Sequence, residues 1–217
     1  MSSTFEQQWR LSEMKLVGVY VSPFVRRVAI ALNLYGMAFE QIAASVVDGR
    51  ETIGHFNGLV RVPALVLDDG EVLIDSHQIL AELDRQVGPD RAMVPHDATL
   101  LRSYGQMVAL LTGSLEKAVA TFYESRRRPT DKIWPDWAKQ CHDQAIGGAL
   151  AAEARADDAV LSDGFLFGGR LTHADIAATL VIEMLSQLGG LEPALVPKLS
   201  SLAHRLGATS AFSSTRP

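Results

Sequence analysis

Three short segments carry polar side chains where a chain leaves a strand or a turn: Ser22-Pro23, Val62-Pro63 and Asp75-Ser76. Proline tolerates the first turn of a helix because the amide hydrogen it lacks would find no intrahelical partner there, so Ser22 reads as an N-cap ahead of Pro23. Asp75 and Ser76 end an apolar run and open an amphipathic one, which makes both of them cap candidates. Val62-Pro63 is an X-Pro step, trans by default in the absence of further context. A fourth run, Cys141-His142-Asp143, contains a thiol, an imidazole and a carboxylate, yet it falls in the middle of a helical pattern and Cys141 reads as a small apolar packing residue. One cysteine forms no internal disulfide, CxxC pair or multi-cysteine zinc site, so no metal is expected and a reducing, cytoplasmic location is. His55 reads as an exposed loop histidine.

The 217 residues are 47% hydrophobic and 21% charged with a net charge of −5, a globular composition remote from disordered, collagen-like or coiled-coil chains. No run approaches the roughly 18 to 20 apolar residues of a membrane span, so no membrane is expected. Arg126-Arg127-Arg128 reads as a solvated helix end in an acidic protein, so no nucleic acid is expected either.

Apolar spacing predicts strands over 16–21, 39–43, 64–67 and 71–74, the last two joined by an Asp68-Asp69-Gly70 hairpin turn. Helices are predicted over 23–35, where Val25, Val28, Ala29, Leu32 and Leu34 form the apolar face, within 48–57, and from Ser76 to Val87. The order βαβαββα makes an α/β domain over 15–87, after a disordered extension over 1–14. Two prolines and a glycine mark a linker over 88–97, and an all-α domain follows over 98–208, with helices over 99–125, 134–156, 171–188 and part of 191–207. The third of these opens with Thr172 and Asp175 at capping-box spacing and with Leu171 and Ile176 at the positions of a hydrophobic staple. The Ser/Thr-rich residues 209–217 read as a frayed tail.

In order along the chain, Ser22-Pro23-Phe24-Val25-Arg26-Arg27, Asn57-Gly58-Leu59-Val60-Arg61-Val62-Pro63 and Ile74-Asp75-Ser76-His77-Gln78-Ile79-Leu80 resemble the three glutathione-site motifs of cytosolic glutathione S-transferases. Gly169-Arg170-Leu171-Thr172-His173-Ala174-Asp175-Ile176 resembles that family's folding motif in the helical domain. The opening is most similar to serine-type members, such as the plant tau class and small bacterial relatives.

This resemblance implies a thioredoxin-like N-terminal domain ahead of an all-helical one, glutathione as co-substrate, a small hydrophobic electrophile as its target, and a homodimer. Ser22 matches the catalytic serine that favours the glutathione thiolate. Phe24, Arg61, Val62, Pro63, Asp75 and Ser76 match glutathione-binding positions, with Val62-Pro63 at the family's cis-proline step. Gly58 stands where an Asn-Pro element is common, and Asp75 stands where Glu is more usual, shorter by a methylene. The electrophile pocket is expected on the first long helix of the second domain, at Tyr104, Met107, Val108 and Leu111. The competing reading is a catalytically weak binding or regulatory protein of the stringent starvation protein type.

Overall fold

The computed structural model describes residues 14–217. The extension expected over 1–14 lies outside the described residues except for Met14, which is buried at the start of a strand. The first compact unit runs to Arg91 and takes in Thr215–Pro217, and the second is Ala92–Ser214.

In the first unit, β1 (Met14–Val17), α1 (Pro23–Tyr35), β2 (Phe39–Ile42), α2 (Arg50–Phe56), β3 (Ala64–Val66), β4 (Val72–Ile74) and α3 (Ser76–Val87) follow the expected βαβαββα order. The sheet runs β2-β1-β3-β4. β1 pairs parallel with β2, Leu16 opposite Gln41, and antiparallel with β3, Leu16 opposite Leu65. β3 and β4 form the hairpin, whose turn places Gly70 at φ +89° while the Asp69 carboxylate accepts the Glu71 amide.

β1 is displaced from the expected 16–21. It starts two residues earlier, and the chain turns away at Gly18, where φ is +133° and a Cβ would lie 2.4 Å from Val25 Cγ2 and 3.1 Å from Val62 Cβ. The bare backbone at Gly18 is what lets the end of β1, the first turns of α1 and the loop before Pro63 converge. Beneath that loop Val17, Ala44, Ile53 and Ala64 form a small core on which Val60 and Val62 pack.

Ser22 caps α1 as expected, and Gly36 closes it in the left-handed conformation at φ +69°. The helix is buried on more sides than its apolar stripe suggested. Ile30, Ala31 and both Arg26 and Arg27 are buried, whereas Leu34, expected on the apolar face, is exposed. Arg91 Nη2 donates to the Tyr35 carbonyl at 2.6 Å, which carries this unit past residue 87.

The second unit contains α4 (Leu101–Arg126), α5 (Pro135–Glu153), α6 (His173–Leu188), α7 (Pro197–Gly207) and α8 (Ser210–Ser213). α4 packs on α5 and α6, and α6 packs on α7. Ser114 and Gly148 let α4 and α5 approach closely: the Ser114 hydroxyl donates to the Ala145 carbonyl at 2.6 Å, and a Cβ on Gly148 would meet Ser114 Cβ at 2.9 Å.

Residues 92–97, expected within the linker, belong to this unit. Ala92 and Met93 are buried, the Met93 carbonyl accepts the His173 amide, and Arg170 Nη2 donates to the Ala92 carbonyl. The expected tail is also structured: α8 buries Phe212 completely, and Thr215 is buried in the first unit.

The capping box at Thr172 and Asp175 is present. Asp175 Oδ2 accepts the Thr172 amide and hydroxyl, each at 2.7 Å, and Oδ1 accepts the Leu166 amide at 2.8 Å. Val196 has no side chain able to cap α7, and the carboxylate of Glu153 at the end of α5 does so instead, accepting the Lys198 and Leu199 amides at 3.0 and 2.9 Å. Among the described residues no helix is long and apolar enough to cross a membrane.

Candidate functional site

Ser22 lies at the mouth of α1, and its Oγ accepts the Val25 amide at 3.4 Å. That bond uses an oxygen lone pair, so the hydroxyl hydrogen remains available to a further acceptor. The first-turn amides beside it, at the positive end of the helix dipole, favour the same anion. Phe24 sits half-buried on this turn.

The loop after α2 is organised by buried Asn57. Its Nδ2 donates to the Arg61 carbonyl at 2.8 Å, its Oδ1 accepts the Leu59 amide at 3.0 Å, and its carbonyl accepts the Val60 amide at 2.8 Å. Val60 takes φ +52°, and the Val62-Pro63 bond is cis. Neither the amide nor the carbonyl of Val62 has a hydrogen-bond partner among the described residues. Main-chain groups left open in this way suit pairing with an extended peptide backbone, since a partly buried unpaired group is costly. The Arg61 side chain is exposed.

Gly58 does not leave this loop loose, because Asn57 holds it from both sides. Gly58 occupies the second position of the turn that the Val60 amide closes, its φ is outside the left-handed region, its amide donates to nothing among the described residues, and a Cβ there meets nothing within 4 Å. Asn57 is extended, at φ −142° and ψ 109°, as the residue before a proline must be. Gly58→Pro is therefore expected to stabilise the protein by about 0.4–1 kcal/mol through the unfolded chain, read as a Tm higher by roughly 1–4 °C.

Asp75 caps α3 from an unusual backbone conformation, φ +69° and ψ 126°. A non-glycine residue held there costs of order 1–3 kcal/mol, and such strain concentrates at sites of function. Its Oδ1 accepts the His77 amide at 2.9 Å, and the other carboxylate oxygen has no partner among the described residues. Ser76, the first residue of α3, is buried, and its Oγ accepts from Arg27 Nη1 at 3.2 Å. Arg27 Nη1 is also 3.5 Å from His77 Nε2.

The fold thus ties the three motifs of the first unit to one another. Gly18 sits between Val25 and Val62, and Arg27, five residues after Ser22, reaches Ser76. Sequence reasoning missed three residues that organise this region. Gly18, Asn57 and Arg27 carry no signal at the level of composition, although Asn57 and Arg27 fall inside the quoted motifs.

The electrophile candidates are unequal. Met107, Val108 and Leu111 are buried in the manner of core residues, Leu111 completely, and Tyr104 is half-buried with its ring edge-on to Phe167 at 5.6 Å. Trp134 and Trp137 are exposed and stacked at 6.4 Å, with the Lys117 ammonium 5.7 Å above Trp137. Cys141 is wholly buried and free of any disulfide. Among the described residues no cluster of His, Cys, Asp and Glu could hold a metal ion. A cavity of about 430 Å³ lies between the hairpin and α3, rimmed by Asp68, Asp69, Glu71, Glu82 and Arg85, and contains none of the motif residues. Its rim of carboxylates suits a cation better than an anion.

Residues 16–91 match the family profile of the glutathione S-transferase N-terminal domain. The uncharacterized GST-like protein YibF of Escherichia coli is 35% identical over 114 residues, a span of 52% of this chain and 56% of YibF. Maleylacetoacetate isomerase of Pseudomonas aeruginosa is 28% identical over 210 residues, 94% of this chain and 96% of the relative. A crystal structure of a glutathione S-transferase from Methylobacterium radiotolerans, in complex with glutathione sulfonate, superposes with a TM-score of 0.84 at 29% identity, covering 94% of this chain and 95% of that one. A four-stranded mixed sheet bearing the cis-proline step, a helical unit with its capping box, and similarity that runs the length of the chain all agree: residues 16–91 form a glutathione S-transferase N-terminal domain, and the chain as a whole has the fold of glutathione S-transferases.

Proposed function

We propose that this protein is a glutathione transferase that binds glutathione on its first unit and holds the thiol as thiolate for attack on a small hydrophobic electrophile. The observation that carries this reading is the Ser22 hydroxyl. Its oxygen takes the Val25 amide, so its hydrogen is left to donate to a sulfur at the start of α1. Val62 supports the reading by offering an open amide and carbonyl to the cysteinyl backbone. Ser76 and the first-turn amides of α3 suit the γ-glutamyl carboxylate, and the free oxygen of Asp75 suits its ammonium. Arg61 is exposed and within the same loop, available to the glycyl carboxylate, and Phe24 lines the start of α1.

Attack then proceeds by nucleophile activation plus proximity: the thiolate sulfur forms a bond to an electrophilic carbon, and either a leaving group departs with its bonding pair or, in addition to an epoxide or activated double bond, the atom left with that pair takes a proton from water. Of the expected pocket residues, Tyr104 presents surface for a hydrophobic partner while Leu111 supports it from the core. A single cysteine in the whole sequence suits a reducing cytoplasm, where disulfides do not persist. A two-fold homodimer completes the proposal, as the commonest closed assembly, and the edge strand β4 with exposed Val72 and Ile74 is a surface it would cover.

Calorimetric titration with glutathione, followed by turnover of a panel of aryl halides, epoxides and unsaturated carbonyls, tests the proposal. Saturable binding with conjugation is the expected result. An isomerisation assay on a cis-dienoic acid run in parallel shows which reaction dominates, and absence of glutathione binding at millimolar concentration overturns the proposal.

A further inference from the structure

We propose that Arg27 is a positioning residue for the γ-glutamyl end of glutathione, acting through Ser76; this rests on the function proposed above. Arg27 is 1% exposed, one of the largest fully buried side chains in the protein. A guanidinium taken out of water carries a desolvation cost of several kcal/mol, so a fold that buries one must hold it by specific contacts. Its Nη1 donates to Ser76 Oγ at 3.2 Å and lies 3.5 Å from His77 Nε2, so the guanidinium sits beneath the first turn of α3.

Arginine has donors only, and this decides the orientation of Ser76. The Ser76 oxygen must accept from Arg27, which leaves the hydroxyl hydrogen to donate to a different group. Ser76 itself is 4% exposed, so a ligand carboxylate at the start of α3 would meet a hydroxyl whose oxygen is already taken by Arg27 and whose hydrogen is turned away from the guanidinium. The buried positive charge one hydrogen bond behind it adds to the helix dipole and favours an anion at the same place. Asp75 is fixed in the same turn by its bond to the His77 amide. The pair therefore presents a donor toward a carboxylate and an acceptor toward an ammonium, the two charges of an α-amino acid end group. Arg27 touches neither charge in this arrangement and orients what does.

The test compares glutathione with cysteinylglycine, which has the same thiol and glycyl end and lacks the γ-glutamyl group. For Arg27→Met the KM for glutathione is expected to rise about tenfold or more with kcat little changed, while kcat/KM for cysteinylglycine stays within about twofold of wild type. Arg27→Lys, which keeps the charge and one donor, is expected to recover part of the loss. Equal loss with both thiols means a merely structural role and overturns the proposal, as does an unchanged preference for glutathione. Should Arg27→Met fail to fold, Arg27→Lys and Ser76→Ala are compared directly: both are expected to reduce the preference for glutathione over cysteinylglycine, and an undiminished preference in either overturns the proposal. Wild-type protein that binds no glutathione defeats the functional reading instead, so the two failures are distinguishable.

Discussion

Ser22→Ala is expected to return the thiol of bound glutathione toward its free pKa of about 8.5 and to lower kcat/KM for conjugation roughly 10- to 100-fold, with little change in glutathione affinity. A hydrogen bond to a charged acceptor contributes about 1.5–3 kcal/mol, and each 1.4 kcal/mol corresponds to one pKa unit or a factor of ten in rate. The α1 N-terminus retains its own contribution of about 0.3–1 kcal/mol, so the thiol of the variant should remain slightly more acidic than free glutathione. Ultraviolet titration of the bound thiolate against pH, alongside steady-state rates, measures both effects. Ser22 is also the α1 cap, and its long 3.4 Å bond places the stability cost of alanine near the low end of the usual 0.5–2 kcal/mol. Ser22→Asp separates the roles. It keeps a cap and brings an anion to the sulfur, so stability should hold while the thiol pKa rises above the alanine variant's. An unshifted thiol pKa in wild type and variants alike would leave a glutathione-binding protein without thiol activation.

The largest effect on stability is expected from Asp175→Ala, a loss of about 3–5 kcal/mol. Removing this carboxylate strands the Thr172 amide, the Thr172 hydroxyl and the Leu166 amide, all in bonds of 2.7–2.8 Å inside the second unit. Urea unfolding by circular dichroism reads the loss, and a change under about 1 kcal/mol would show that the capping box contributes little. Burial pushes the Asp175 carboxyl above its ordinary value, against the bonds from Leu166 and Thr172 that hold it down. The native protein therefore binds this proton more tightly than the unfolded chain does. The stabilisation linked to that proton is complete below the unfolded value of about 3.9 and is lost as pH rises through the raised native value. Measured against Asp175→Asn, which does not titrate, the wild-type advantage in urea midpoint should be larger near pH 4.5 than near pH 7, at about those two values.

Features decided within four or so residues were legible from the chain. Ser22 before Pro23, the Asp69-Gly70 turn and the Thr172–Asp175 pair all appear where their spacing placed them. Each rests on one side chain satisfying a neighbouring amide, or on one glycine freeing a dihedral, so the signal is local. The misplaced features share a different cause. Residues 16–21 look like a continuous strand because Val17, Val19 and Val21 suit one, and only the tertiary structure shows that the chain turns at Gly18, where Val25 and Val62 leave no room for a Cβ. Arg26 and Arg27 are buried despite their charge, while Leu34 reads as core and is exposed. Ala92 and Met93 look like linker, yet their carbonyls are taken by Arg170 and His173 from almost 80 residues away.

The amino-acid sequence by itself therefore determined the order of elements, where most helices begin and end, and the family-like spacing of Ser22, Val62-Pro63 and Asp75-Ser76. Tertiary structure decided which groups are left with open valences: the backbone of Val62, unpaired among the described residues, and the Ser76 hydroxyl, whose oxygen is taken by a guanidinium 49 residues earlier in the chain. Hydrogen-bond capacity is a balance over every neighbour in space, and neighbours 49 residues apart leave no pattern in a local window.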